Sequence, residues 1–447
     1  MQEAMSKEDI FKGYPWRFIA RIVIEAETPL TVGNGEKSIM TDALVAKDVN
    51  GLPYIPGTSL AGVIRHALGD KPDDKESIFG YHIGKNAAGS RLMFSDAVMI
   101  GKGGKALDGI QDIDFNDVFY NHFANLPVRQ HVRINEYGTA EKGAKFDEQV
   151  VYKGTRFAFE IEFVSENNDK AIFENTLNQL RYSSFRLGGG TRKGFGKIKL
   201  INIKQAVYNL YDKDQLDLYL AKGSNLDGEF DVSAHVPDVI NDDSWEKYEV
   251  TLQPQDFFLF GSGMGDEDAD DTPVTESVIT WDANVPRFDD NCILIPASSV
   301  KGALAHRVAY YWNKEKEHYA GDVEAKTVKE CPATIAIFGS SEDDDPQRGN
   351  IIIDDMIGKP VQHKLFNHVK IDRFTGGAIE SALFTEKVTD ARDFRFHLHI
   401  LLKANDENRK IFEKALNDLK NGLLPLGGGT NKGLGMFKEV NNNKNNG

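Results

Sequence analysis

L-G-G-G-T-R-K-G-F-G (Leu187 to Gly196) returns as L-G-G-G-T-N-K-G-L-G (Leu426 to Gly435), an offset of 239. Upstream of it, Y-I-P-G-T-S-L-A-G (Tyr54 to Gly62) returns as L-I-P-A-S-S-V-K-G (Leu294 to Gly302), an offset of 240. Two unrelated motifs that keep one spacing in both halves indicate a duplicated domain. The blocks between them repeat in the same order. I-F-G (Ile78 to Gly80) recurs at Ile337 to Gly339, and G-S-R-L-M-F-S-D (Gly89 to Asp96) is echoed by G-N-I-I-I-D-D (Gly349 to Asp355). V-R-I-N (Val132 to Asn135) is echoed by V-K-I-D (Val369 to Asp372), and A-I-F-E-N-T-L-N-Q-L (Ala171 to Leu180) by K-I-F-E-K-A-L-N-D-L (Lys410 to Leu419).

Within one copy, R-F-I-A-R-I-V-I-E-A (Arg17 to Ala26) alternates with a period of two, the mark of a half-buried strand. Its counterpart is Lys247 to Pro254. Thr58 or Ser59 is expected to cap a helix with Leu60, Ile64 and Leu68 on its buried face, and Ser298 or Ser299 a longer one striped by Val300, Leu304, Val308 and Tyr311. A second alternating run (Phe157 to Val164, matched by Phe394 to Leu401) precedes an amphipathic helix, the glycine motif and a closing strand, Gly196 to Ile203. Strand, helix, strands, helix, strand is the order of a ferredoxin-like (RRM-like) α+β unit. The expected division is a first domain over 1–204, a linker over 205–245, a second domain over 246–440 and a disordered tail over 441–447.

The chain of 447 residues is long enough for two such units, each burying its own core. The first residues are polar and charged and no apolar run reaches membrane-helix length, so a soluble, cytoplasmic protein without membrane contact is expected. Two cysteines, Cys292 and Cys331, exclude a disulfide framework and a Cys-rich zinc site. The formal charge of −15 speaks against nucleic acid until its distribution is seen: Arg181 to Lys204 holds seven Lys or Arg and no acid. The acids gather in Gly265 to Asp271 and Glu342 to Asp345, which read as solvated insertions.

The chemistry of the repeated motifs is that of an anion site. A Ser/Thr pair opening a helix after a rigid proline offers free N–H groups at the positive end of the dipole, at Thr58 and Ser59 and again at Ser298 and Ser299. Arg65 follows in one copy, Lys301 and Arg307 in the other. In the glycine motif, Gly188, Gly189 and Gly190 permit positive φ and close approach of a ligand backbone, Arg192 and Lys193 bring charge, and Phe195 is placed to stack on a base. Gly427, Gly428, Gly429 and Lys432 repeat the pattern. It is no Walker loop, lacking the G-K-[ST] ending, and no dinucleotide fingerprint, since the helix precedes the glycines. A tight helix-to-strand turn is the bland alternative. His131, His368, His397 and His399 carry no catalytic assignment.

The order I-P-G-T-S-L-A-G, I-F-G, S-R-L-M-F-S-D-A, V-R-I-N and L-G-G-G-T-R-K-G-F-G resembles the RAMP superfamily of CRISPR-associated proteins. Within it, the chain is most similar to the backbone subunit of type III effector complexes, here as a tandem fusion of two, as in subtype III-D variants. The resemblance implies two tandem RAMP domains, each with a β-hairpin thumb and inserted loops. It implies guide RNA, complementary target RNA and other type III subunits as partners. The helix starts would hold guide phosphates. The thumbs would run from Arg133 to Thr155 and from Lys370 to Val388. The family's cutting aspartate lies in a D-x-x-V-x-x-D pattern ahead of I-P-G; D-A-L-V-A-K-D at Asp42 matches it, and D-A-N-V-P-R-F-D at Asp282, offset 240, is its expected repeat.

A displaced nucleotide held in line for attack by its own 2′-hydroxyl needs mainly orientation, with a carboxylate as base or as holder of a divalent metal, Mg2+ being the expected ion. The implied activity is metal-dependent cleavage of guide-paired RNA at one or two positions. A non-catalytic scaffold of the same complex is the alternative, and the guide-processing endonuclease of the superfamily, which shares the glycine motif, is a third. A fusion also fixes two adjacent positions, which suggests a defined number of units over an open filament.

Overall fold

The computed structural model describes residues 13–440 other than 34, 36–40, 72, 73, 75, 76, 136, 137, 229, 231, 320 and 342–345; the acidic run Glu342 to Asp345 and the tail 441–447 lie outside the described residues. In the first copy the alternating run forms β1 (Trp16–Ala26), which turns Phe18, Ala20, Ile22 and Ile24 to one buried face. It is followed by α1 (Gly57–Leu68), β2 (Leu92–Phe94), a hairpin of β3 (Val128–Ile134) and β4 (Ala140–Gln149), then β5 (Arg156–Ser165), α2 (Lys170–Asn178) and β6 (Ile198–Asn209). The antiparallel sheet runs β2-β5-β1-β6, the fourth, first, third and second strands of a ferredoxin-like unit in that spatial order when read from β6. Leu60 and Ile64 from α1 and Phe173 and Leu177 from α2 join the β1 residues in one core. Full burial of each large side chain there contributes about 1.5–3 kcal/mol.

The described part of 205–245 packs on the first copy. β6 continues to Asn209 opposite Trp16, and α3 (Lys213–Ala221) follows. Tyr208, Leu210 and Phe230 close over Ile19 on the sheet's other face.

The second copy repeats the plan with β7 (Glu246–Pro254), β8 (Thr275–Asp282), β9 (Val285–Ile295), α4 (Ala297–Glu315), α5 (Pro332–Phe338), β10 (Ile351–Ile353), β11 (Met356–Pro360), β12 (His363–Ile371), β13 (Ala378–Thr389), β14 (Phe396–Leu402), α6 (Asp406–Lys420) and β15 (Phe437–Glu439). Its sheet order, β10-β14-β7-β15, is that of the first copy. Val300, Leu304 and Val308 form the expected stripe of α4, fully buried against the α6 residues Ile411, Phe412 and Leu416. The α+β class and the tandem arrangement are therefore those expected.

Two local expectations are corrected. Neither repeated helix is capped by its Ser/Thr pair: the caps are Pro56 and Pro296, and the first helical amides donate to aspartates on a neighbouring segment, Gly57 N to Asp96 (2.8 Å) and Ala297 N to Asp355 (2.7 Å). The fixed φ of proline suits entry to a helix, which leaves Thr58, Ser59, Ser298 and Ser299 inside the first turn. The hairpins also begin earlier than expected. They span Val128 to Gln149 and His363 to Thr389, because V-R-I-N and V-K-I-D lie within or just past the outgoing strand and do not precede it.

One of the length differences between the copies lies between β7 and α4. Leu30 pairs with Val151 as Phe258 does with Thr389, and Gly33 with Val45 as Gly261 does with Pro273, an offset of 228 on the loop side. By Ile55 and Ile295 the offset is 240, so twelve extra residues enter between. They lengthen this segment into the β8/β9 hairpin, which clasps the first copy. Ile279 is buried in the first copy's core, Trp281 Nε1 donates to Gly154 O (2.7 Å), and Phe288 stacks on His122 at 3.7 Å between ring centroids.

Candidate nucleic-acid interface

Asp42 sits at the base of the first hairpin. Its carboxylate accepts the Asp147 amide of β4 (3.1 Å), the next residue, Ala43, bridges in parallel to Glu148, and Ala43 O accepts the Gln149 amide (2.9 Å). Asp48, the other acid of the motif, accepts the Asn50 and Leu52 amides and holds a turn. In the second copy the same three contacts recur on Asp270 and Asp271. Asp270 accepts the Thr385 amide (2.8 Å), Asp271 bridges in parallel to Glu386, and Asp271 O accepts the Lys387 amide (2.9 Å).

The structure therefore pairs Asp42 with Asp270 and not with Asp282. Asp282 ends β8 at the exposed tip of the clasp, opposite Val285, and its carboxylate makes no hydrogen bond or ion pair among the described residues. The constant offset that led to it holds only downstream of the insertion. Asp270 lies in the acidic loop that reads in sequence as a solvated insertion; the signal that finds it is the match of L-T-V-G (Leu30 to Gly33) with F-L-F-G (Phe258 to Gly261).

A polar cluster backs each aspartate loop. Glu148 is buried with His131 Nε2 at 2.8 Å and Lys193 Nζ at 2.9 Å, and Phe146 stacks on the His131 ring and lies under the Lys193 ammonium. Glu386 is buried with His368 Nε2 at 2.9 Å and Lys432 Nζ at 2.6 Å, beside Phe384. Burial acts to raise the Glu148 carboxyl, yet bonds and charge from His131 and Lys193 outweigh it and hold the group below the usual carboxylate range. The histidines carry no catalytic assignment in the sequence because a lone His on a strand carries no signal; only the hairpin register joins each to a glutamate and a lysine.

The glycines serve packing against the protein. Gly188 and Gly427 have positive φ, and a Cβ on either would come within 2.3 or 2.4 Å of Thr31 O or Leu259 O. Gly189 N and Gly428 N donate to those same carbonyls at 2.7 Å. Gly190 and Gly429 also have positive φ, the latter capping the short turn that carries Lys432. Phe195 is fully buried under the Arg129 guanidinium and is not available to stack on a base. Arg65 ties α1 to Asp70 (3.0 Å) and Gly80 O (3.1 Å), and Arg307 ties α4 to Leu423 O (2.9 Å), so both hold protein together. Arg133 and Lys370 stand exposed on the outgoing hairpin strands.

What the fold brings together is the first glycine loop and the second helix start. A Cβ on Gly194 would lie 2.6 Å from Ala297 Cβ, and Arg192 Nε donates to Gly349 O (2.8 Å). Arg192, Lys193 and Lys301 thereby converge beside Ser298 and Ser299. Burial, then Arg192 and Lys193, push the Lys301 ammonium down to about 8, and burial with Arg348 and Arg186 pushes Arg192 down to about 10. Lys301 has no hydrogen-bond or ion-pair partner among the described residues. A half-buried cation crowded by like charge and lacking a counter-ion is a site made for an anion.

Below this groove the junction is locked by acids. Arg129 donates to Glu276 (2.6 Å) and Asp355 (2.9 Å), and Arg186 and Lys197 meet Asp354 at 2.8 and 3.0 Å. Among the described residues no group of three or more His, Cys, Asp or Glu is arranged to hold a metal ion. Asp42 and Asp270 each offer one carboxylate, which fits Mg2+ only in its usual manner, shared with substrate phosphates and water.

The sequence matches the RAMP superfamily over residues 23–199 and again over 254–438. The chain belongs to the RAMP superfamily. Its relatives include the protein named CRISPR system Cms endoribonuclease Csm3 from Methanocaldococcus jannaschii, 28% identical over 208 residues, covering 41% of this chain and 77% of the relative. The protein of that name from Streptococcus thermophilus is 29% identical over 213 residues, 43% of this chain and 92% of the relative. One relative's match thus takes up less than half of this chain, in keeping with two RAMP copies, and the hairpin-base cluster is common to both RAMP copies here.

Proposed function

We propose that this chain is a double backbone subunit of a type III CRISPR ribonucleoprotein. It holds guide RNA along the groove where the first glycine loop meets the second helix start and cuts complementary target RNA beside the base of each hairpin. The observation that carries the reading is the recurrence, in two copies of a Csm3-like chain, of one carboxylate pinned to the same place on the returning hairpin strand. Arg192, Lys193 and Lys301 take guide phosphates without regard to sequence, and pairing with the guide supplies specificity. Exposed Arg133 and Lys370 meet RNA along the hairpins.

For the cut, the hairpins splay a target nucleotide so that its 2′-hydroxyl faces the adjacent phosphate, and orientation lowers most of the barrier. Asp42 and Asp270 each accept the hydroxyl proton or orient that hydroxyl. A divalent ion, when bound, supplies charge for the developing anion. Glu148 with His131 and Lys193, and Glu386 with His368 and Lys432, hold the returning strands in place. Asp282 belongs to the clasp and has no part in this chemistry.

The test is the assembled complex with labelled complementary RNA and magnesium, comparing wild type with the double variant Asp42→Ala, Asp270→Ala. Loss of the cuts with guide and target binding retained supports the nuclease reading. An unchanged pattern makes the chain a guide-holding scaffold.

A further inference from the structure

The cations at the junction of the two copies are held in two different ways. Arg129, Arg186 and Lys197 are neutralised by the acids Glu276, Asp354 and Asp355. Three others are held by neutral groups. Arg192 Nε donates to Gly349 O (2.8 Å), Arg348 Nη1 donates to His66 Nε2 (2.9 Å), and the Trp245 indole lies 5.4 Å from the Arg192 guanidinium and 4.7 Å from the Lys403 ammonium. Among the described residues none of these three cations forms an ion pair with a carboxylate. Asp242 feels the Lys403 charge, but its oxygens are taken up by the Ser184 and Ser244 hydroxyls at 2.6 and 2.5 Å. A carbonyl, an imidazole that accepts and an indole face fix a cation in place and leave its charge free for an anion.

The repeat marks these cations as additions to the fold. Lys403 N donates to Asn350 O as Val164 N does to Arg91 O, and Asn350 N donates to Ile337 O as Arg91 N does to Ile78 O. The first copy therefore has Val164 in the place of Lys403 and Gly89 in the place of Arg348, while the second glycine loop has Asn431 in the place of Arg192. The RAMP unit folds without them, so folding alone does not account for charge gathered here. Arg192 joins them to the groove: its charge acts on Lys301 on one side, and the Arg348 charge acts on it from the other. Beside Lys403 opens a cleft of about 410 Å3, lined by Asn350, Asn405 and Asn408 and by no acidic side chain.

We propose that Arg192, Arg348 and Lys403 bind backbone phosphates of a single-stranded RNA that continues out of the groove, and that Trp245 is the positioning residue that holds two of these cations clear of any acid. The site occurs once per chain, where the copies meet, and it reads phosphates and not bases. It rests on the reading of the groove as an RNA site and adds the path by which the strand leaves it; it stands whether or not either copy cuts RNA.

The test is binding of the full chain to oligouridylate over a range of salt, because each phosphate neutralised on a single strand contributes about 0.7 to the slope of log affinity against log salt. Arg348→Gln with Lys403→Gln is expected to lower that slope by about 1.4. Trp245→Leu, which keeps every charge, is expected to lower both affinity and slope, and Trp245→Phe to restore them. Lys301→Gln reports on the groove separately. A slope lowered by Lys301→Gln and unchanged in the double variant overturns the proposal and leaves the groove standing. A slope lowered in the double variant and unchanged by Lys301→Gln removes the groove and supports the Trp245 site as an RNA site of its own. Slopes unchanged in both overturn both. Should Trp245→Leu not fold, the double variant, at one exposed and one half-buried position, decides by itself.

Discussion

Asp42 and Asp270 occupy one place in the two copies: each carboxylate accepts a backbone amide of the returning hairpin strand, Asp147 N at 3.1 Å and Thr385 N at 2.8 Å. The residues that follow them bridge in parallel to Glu148 and Glu386. What happens at one hairpin base is therefore expected at the other.

Glu148→Gln leaves His131 and Lys193 without their carboxylate in a site that is largely closed to water. A loss of about 1–3 kcal/mol of folding stability is expected, read by urea denaturation. In the assembled complex, the cut assigned to Asp42 should slow while the one assigned to Asp270 keeps its rate. Glu386→Gln should do the reverse. Equal slowing of both cuts by either variant would show a general loss of structure.

Lys301 gives a pH-dependent signal. Its ammonium is pushed down to about 8 from an ordinary 10.5, so between these values the free protein has lost a proton that an unfolded chain keeps. This group therefore makes folding stability rise with pH across that window. A phosphate placed against Lys301 restores its proton, so RNA binding at about pH 9 should take up close to one proton and at about pH 7 almost none. Calorimetry in buffers of different ionisation enthalpy measures the uptake, and Lys301→Ala should abolish it.

Arg129→Ala removes the shared partner of Glu276 and Asp355, both buried at the junction. A loss of about 3–5 kcal/mol is expected, because two carboxylates are left in a dry interface. Asp354 is held low by Arg186 and Lys197 despite its burial. Its folded-state pKa lies below the unfolded one, so its contribution is present above the ordinary aspartate value and fades as pH falls through the folded one. Asp354→Asn should flatten that acid limb in a stability–pH profile.

The glycines separate geometry from composition. Gly188→Ala and Gly427→Ala should prevent normal folding of the loop, since the new Cβ meets a carbonyl oxygen and φ is positive. Gly62→Ala, in the open middle of α1, should stabilise by about 0.5–1 kcal/mol. Thermal melts of the three variants test the contrast.

Much of the fold was legible because periodicity survives duplication. The alternation of Arg17 to Ala26 and the stripe of Val300, Leu304 and Val308 each had one physical reading, and the repeat order supplied the topology. The helix starts were misread at their caps, because Asp96 and Asp355 reach the first amides from distant segments that no local motif reveals. Phe195 looked like a stacking ring in the sequence, yet the turn that Gly190 permits folds it inward. Asp282 follows from a constant offset that runs through an insertion, and only the pairing of Gly33 with Val45 and Gly261 with Pro273 shows where the twelve residues enter. The groove cations were each visible, but their convergence across two copies was not.

The most direct test maps target cuts by the assembled complex for three single variants, Asp42→Ala, Asp270→Ala and Asp282→Ala, with guide and target binding measured alongside. The predicted result is that Asp42→Ala removes one cut, Asp270→Ala removes the other, and Asp282→Ala leaves both. Loss of a cut in Asp282→Ala with Asp270→Ala unchanged would contradict the assignment.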